Sequence, residues 1–153
     1  MPTIAETIAY IKAVHAGQTT KGGEPYWTHP FAVMCLLPAD ATEDERHAAL
    51  LHDVIEDCGV TASDLIARGY SPRTVWLVAS LSRPVGEERP SYSEWIRSIA
   101  ATGDRGLIRI KLADNEHNSQ PDRVAKLPPE ERGIVKRYEK SMAVLRQALD
   151  DLQ

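Results

Sequence analysis

Cysteine, phenylalanine and long apolar runs are what this 153-residue chain has least of, with two of the first and one of the second. Cys35 and Cys58 cannot build a disulfide framework, and no Cys-x-x-Cys metal motif is present, so reduced thiols in a cytoplasmic compartment are the expectation. No apolar stretch approaches the roughly 18 residues needed to span a membrane. The start, Met1-Pro2-Thr3, lacks a basic segment followed by an apolar run, and no secretory signal is expected. Net positive charge is also missing. A formal charge of -4 argues against a nucleic-acid-binding surface, and an anionic small substrate would need local positive charge or a metal ion. What remains, 42% apolar and 26% charged residues, suits one globular domain over residues 1–153.

The chain reads as a succession of helix starts. Thr3 with Glu6 and Thr42 with Glu45 form capping-box patterns, as does Ser91 with Glu94, while Thr61 has Asp64 three residues on. Ile4, Ile8, Ile11 and Val14 recur on one face up to Gly17. Lys21-Gly22-Gly23-Glu24-Pro25-Tyr26 is a loop, and Thr28 opens a second helix with Pro30 in its first turn. The helix from Thr42 runs to Gly59. Ser71-Pro72 starts a helix so apolar through Val75, Trp76, Val78 and Leu81 that burial on more than one side is expected. The polar stretch Arg83 to Pro90 reads as a surface loop. Asp104 starts a helix through Leu107, Ile110 and Leu112, and a last amphipathic helix runs from about Glu130 to Leu152. Its stripe of Ile134, Tyr138, Met142, Leu145 and Leu149 could face the core or a second subunit in a homo-oligomer; core packing is the simpler expectation. No stretch alternates long enough for a strand. The fold class is all-α, with about seven or eight helices.

One stretch stands out: His52-Asp53-Val54-Ile55-Glu56-Asp57. At about 100° per residue, a helix gathers His52, Asp53, Glu56 and Asp57 into one arc, opposite Leu51, Val54 and Ile55. Three carboxylates and an imidazole side by side repel and desolvate one another unless a cation sits among them. Two further ligands are candidates. His29 lies in the first turn after the glycine-rich loop, and Asp114 emerges from an otherwise buried helix with Asn118 on the same face. His29, His52, Asp53 and Asp114 make a mixed nitrogen and oxygen set that suits Mn, Fe, Co, Ni or Zn better than Ca. His15, His47 and His117 are read as surface or satisfied core residues.

The order His, His-Asp, Asp resembles the signature of the HD superfamily of metal-dependent phosphohydrolases. The loop Lys21 to Tyr26 with Thr28-His29-Pro30, the stretch His52 to Asp57, and Lys111-Leu112-Ala113-Asp114 followed by Asn118 are similar to the hydrolase domain of the RelA/SpoT family, over residues 8 to 145. The resemblance implies an HD-domain helical fold and one divalent metal ion, usually manganese, held by His29, His52, Asp53 and Asp114. It implies that Glu56 and Asp57 handle the attacking water, that Lys21 and Asn118 contact substrate, and that pyrophosphate leaves the 3′ position of guanosine tetra- or pentaphosphate. Lys111, one turn before Asp114, is a further phosphate clamp. Departures fall on the substrate-reading positions. Thr20 stands where the family has an arginine expected at the guanine base, Asn115 and Glu116 replace a basic and an aliphatic residue, and Gln120-Pro121 replaces an Arg-Thr pair. Hydrolysis of another nucleotide or phosphate ester, adenosine alarmones included, is the alternative. A non-catalytic nucleotide-binding module is a third reading, against which the intact Glu56 and Asp57 speak.

Overall fold

The computed structural model describes residues 1–153. It is all-helical: α1 (Ile4–Val14), α2 (Thr28–Leu36), α3 (Glu43–Leu51), α4 (Val54–Cys58), α5 (Ala62–Ala67), α6 (Pro72–Leu81), α7 (Tyr92–Ala101), α8 (Arg105–Asn118), α9 (Pro121–Ala125) and α10 (Val135–Asp150), with a 3-10 segment over Pro129–Ile134. The only β pairing is an isolated antiparallel bridge between Thr19 and Pro25. No helix is long and apolar enough to cross a membrane.

Helix starts follow the side chains that satisfy the otherwise orphaned first-turn N–H groups. Thr3, Thr42 and Thr61 each accept from the backbone three residues on, and the acidic residue there reaches back to complete the box. Ser71, Ser91 and Asp104 cap α6, α7 and α8 in the same way.

Ten α-helical segments stand where about seven or eight were expected, and the extra ones have local causes. The helix expected from Thr42 to Gly59 breaks at His52 and Asp53, where Asp53 adopts φ -104 and ψ -1, and resumes as α4. Pro121 opens the separate short helix α9. The last helix begins at Val135, because Pro129 leads into a 3-10 segment first.

The core forms around α8 and α3. Helix α8 packs against α2, α3, α6, α7 and α10, while α3 also meets α1, α2 and α6. Leu50 and Leu51 of α3, Leu77 of α6, Ile108 and Ile110 of α8 and Leu145 of α10 are fully buried. Met142 and Leu145 place the α10 stripe against the core. Helix α6 departs from expectation: Val75, Leu77, Val78 and Leu81 are buried, but Trp76 is exposed with the Arg73 guanidinium 5.4 Å from its ring centroid. The consequence for function is positional. The end of α3, the start of α2 and the last turns of α8 converge on one point.

Candidate active site

The loop before α2 is closed by its own backbone hydrogen bonds. Thr20 N–H donates to Glu24 O at 2.8 Å, Tyr26 N–H to Gln18 O at 2.9 Å, and Gly23 takes φ +86, a conformation side chains other than glycine rarely adopt. It delivers Tyr26 and His29 to the break between α3 and α4. There the ligand atoms of His29, His52 and Asp53 all lie within 4.8 Å of one another. Asp114 Oδ1 comes from α8 to within 2.9 Å of His29 Nε2 and 3.4 Å of His52 Nε2. All four expected ligand residues are thus brought together.

The donor set fits a divalent cation. His52 Nδ1–H donates to Ala49 O at 2.7 Å, which leaves the Nε2 lone pair pointing inward. That Nε2 is buried without a hydrogen-bond partner, although Asp53 Oδ2 is 3.0 Å away. A lone pair facing carboxylate oxygens in a buried place is tolerable only with a proton or a cation between them. The titration tendencies agree. Burial disfavours a charged His52, yet Asp53 and Asp114 override it and hold its pKa well above the ordinary value. Burial alone would raise Asp53, but His52 pulls it down to about 2. Asp114 is likewise driven well below the usual carboxylate range against its burial, by Lys111 and the two histidines.

Glu56 and Asp57 stand on α4 beside this cluster, reached after the break instead of along one continuous helix. Glu56 accepts from the Arg83 backbone N–H, and Asp57 Oδ2 accepts from Gln18 Nε2 at 3.2 Å. Burial raises both carboxyls above their ordinary values; the Arg83 N–H opposes the shift at Glu56, and the Asp53 charge adds to it at both.

Lys111 is buried, with Nζ 2.8 Å from Asp114 Oδ2 and 4.4 Å from the Trp95 ring centroid. Asn118 Nδ2 donates to Asp114 Oδ1 at 3.3 Å. Lys21 lies at the mouth, paired with Glu131 Oε2 at 2.7 Å, and Lys126 is paired with Glu24 Oε1 at the same distance. These two bridges tie the loop before α2 to the segment after α8 across the opening.

Most of these groups, though neither His52 nor Asp57, line one cavity of about 670 Å³, the size of a small-molecule site. Seven of the chain's 18 Lys and Arg side chains line it, including Arg83, Arg89, Arg123 and Arg137. Positive charge scarce in the chain as a whole is therefore concentrated here.

Two neighbours of the ligands went unmarked in the sequence. The Tyr26 hydroxyl donates to Asp53 Oδ2 at 2.6 Å. His117, expected as a bystander, stacks on His29 with the two Nδ1 atoms 2.7 Å apart. Its position three residues after Asp114 on a helix was the available signal. Burial and the neighbouring His29 push its pKa down to about 4, which keeps it a neutral partner. His15 and His47 do lie away from the cavity, bonded to Gln18 and to Thr7.

Residues 7–132 match the family model described as HD domain. The chain belongs to the HD domain family. It is 36% identical over 138 residues to the bifunctional (p)ppGpp synthase/hydrolase SpoT of Escherichia coli, covering 84% of this chain and 19% of that protein. The guanosine-3′,5′-bis(diphosphate) 3′-pyrophosphohydrolase of Vibrio cholerae is 36% identical over 122 residues, 75% of this chain and 17% of its own length. The chain spans about a fifth of the length of these curated relatives. A solved structure of a metazoan ortholog of SpoT, described as hydrolyzing ppGpp, superposes with a TM-score of 0.72 at 22% identity, covering 99% of this chain and 95% of that one. That likeness confirms the fold.

Proposed function

We propose that residues 1–153 act as one HD phosphohydrolase domain that removes the 3′-pyrophosphate from guanosine tetra- or pentaphosphate-like nucleotides. The observation that carries this reading is the meeting of His29, His52, Asp53 and Asp114 at a cavity rich in lysine and arginine, with Glu56 and Asp57 alongside. The named activities of the SpoT and pyrophosphohydrolase relatives support it.

In this reading His29, His52, Asp53 and Asp114 hold one divalent ion, manganese by the resemblance. Such an ion would acidify a water and offset charge developing at phosphorus. Glu56 and Asp57 orient the attacking water and accept its proton, a role their raised pKa values suit. The new bond forms from water oxygen to the phosphorus next to the ribose, and the bond to O3′ breaks. Lys111 and Asn118, both bonded to Asp114, hold the phosphate oxygens, and Lys21 exchanges Glu131 for a substrate phosphate. Cys35 and Cys58 are free thiols, which suits a cytoplasmic setting.

A second reading, the same chemistry on a different base, rests on Thr20. Its side chain is buried and accepts from the Glu24 N–H at 3.2 Å, so it offers no planar cation to a guanine. The manganese-loaded protein incubated with guanosine and adenosine 3′-pyrophosphates and ordinary nucleotides, with pyrophosphate and phosphate assayed, separates the readings. Pyrophosphate from the guanosine compounds supports the first, preference for another base the second. No turnover with any divalent metal sinks both.

A further inference from the structure

The ring of His29 is buried and walled on three sides. Tyr26 and His52 turn their rings edgewise to it at centroid distances of 5.9 and 5.3 Å, and His117 stacks on it at 5.0 Å with the planes 22° apart. Both of its nitrogens are engaged. Nε2 is 2.9 Å from Asp114 Oδ1, and Nδ1 is 2.7 Å from His117 Nδ1. Two imidazole nitrogens at that distance share one hydrogen, so one of them donates and the other offers its lone pair.

The chemistry of the cluster decides which. A ligating nitrogen presents a lone pair, so a neutral His29 that binds an ion through Nε2 carries its hydrogen on Nδ1. His117 Nδ1 is then the acceptor, and the hydrogen of His117 lies on its Nε2. The reverse arrangement would put the His29 hydrogen on Nε2, where the ion belongs. His52 meets the same requirement through the main chain, with Nδ1 2.7 Å from Ala49 O, a partner that can only accept. His29 relies on a side chain for that service. Helix α8 carries that side chain three residues after Asp114, on the same side of the helix, so one helix supplies a ligand and the support of another. His117 does not line the cavity.

We propose that His117 is a positioning residue, whose Nδ1 lone pair holds the His29 Nδ1–H and so fixes the tautomer and ring angle that aim Nε2 into the cluster. The proposal deepens the hydrolase reading and rests on it for the ion. His117 acts only through His29.

Stacking and hydrogen bonding can be separated at this position. His117→Phe keeps a ring over His29 and removes the acceptor. His117→Asn removes the ring and keeps an acceptor, because its Oδ1 stands one bond beyond Cγ, as Nδ1 does. Manganese titrated by calorimetry into the metal-free proteins should bind His117→Phe about ten-fold or more weakly, and His117→Asn within about three-fold of the unaltered protein. Thermal melting shows that both variants are folded. Equal affinity in the unaltered and His117→Phe proteins, or equal losses in the two variants, overturns the proposal. Isotope-edited imidazole NMR on the zinc-loaded protein, zinc being diamagnetic, reads the tautomer itself. It should find the His117 hydrogen on Nε2 and a coupling between the two Nδ1 atoms across their hydrogen bond; a His117 protonated on Nδ1 also overturns the proposal. Neither measurement needs turnover. Manganese binding without cleavage of any nucleotide would defeat the hydrolase reading and leave the role of His117 standing, whereas turnover with unweakened binding by His117→Phe would defeat that role alone.

Discussion

The Tyr26 hydroxyl donates to Asp53 Oδ2 across 2.6 Å, joining the loop before α2 to a carboxylate of the cluster formed with His29, His52 and Asp114. Burial and the Asp53 charge raise the pKa of the phenol, so it stays a donor throughout the physiological range. Partners of this kind fix the orientation of a ligand, and their removal costs about 10–100-fold in metal affinity. Tyr26→Phe should weaken manganese binding by roughly ten-fold in calorimetric titration. Unchanged affinity would mean that the bond does not position Asp53.

Asp53 and Glu56 should separate binding from turnover. Asp53→Ala removes an oxygen from the cluster and should abolish measurable manganese binding. Glu56→Gln should leave the ion bound and lower kcat by about 10²–10⁴-fold, the usual contribution of a positioned base. A fully active Glu56→Gln protein would remove Glu56 from the mechanism.

The same carboxylate has a pH signature. Burial lifts the Glu56 pKa above its ordinary value of 4.5, with the Arg83 N–H opposing and Asp53 adding. Its folded form therefore binds a proton more tightly than the unfolded chain does. Metal-free protein should lose stability as pH rises from the unfolded value through the raised folded one. At neutral pH, Glu56→Gln should melt higher than the unaltered metal-free protein while being the poorer catalyst. Scanning calorimetry at pH 4 and pH 7 would show the gap only at the higher pH; a gap at pH 4 would contradict it.

Asp104 behaves oppositely. It caps α8 through Leu107 N–H at 2.9 Å and pairs in bidentate fashion with Arg73 of α6 at 2.6 and 2.9 Å. The Arg73 hydrogen bonds, against burial, hold its pKa below the ordinary 3.8. The contribution is present above that unfolded value and is lost as pH falls through the folded one. Asp104→Ala should cost about 1 kcal/mol at pH 7, mostly as a lost cap, and lower Tm by ~3 °C. Below the folded pKa the difference should shrink to what remains of the cap.

Much of this was readable in the chain because it is local. Thr3, Thr42 and Thr61 announce their helices through a partner three residues away, and each forms its capping box. His29, His52, Asp53 and Asp114 were legible as an ordered set, and three helices bring them together. The break at His52 and Asp53 was not, since no proline or glycine marks it and hydrophobic spacing continues through Val54 and Ile55. Tyr26 was hidden for a different reason: its bond to Asp53 spans 27 residues and depends on the fold of the glycine-rich loop. The approach of Arg83 and Arg137 to the Tyr92 ring is equally non-local, joining a loop to a helix that begins some fifty residues later.

The paired bridges Lys21 to Glu131 and Lys126 to Glu24 also bear on which metabolites gain entry. An incoming group must replace a carboxylate on each lysine, and a neutral or singly charged solute has little with which to do so. In the proposed reading, a multiply charged phosphate chain would displace both glutamates and leave them to water. In that reading the opening would rank small molecules by their number of negative charges before any base is read. Raised ionic strength, by screening both bridges, should blunt that ranking first.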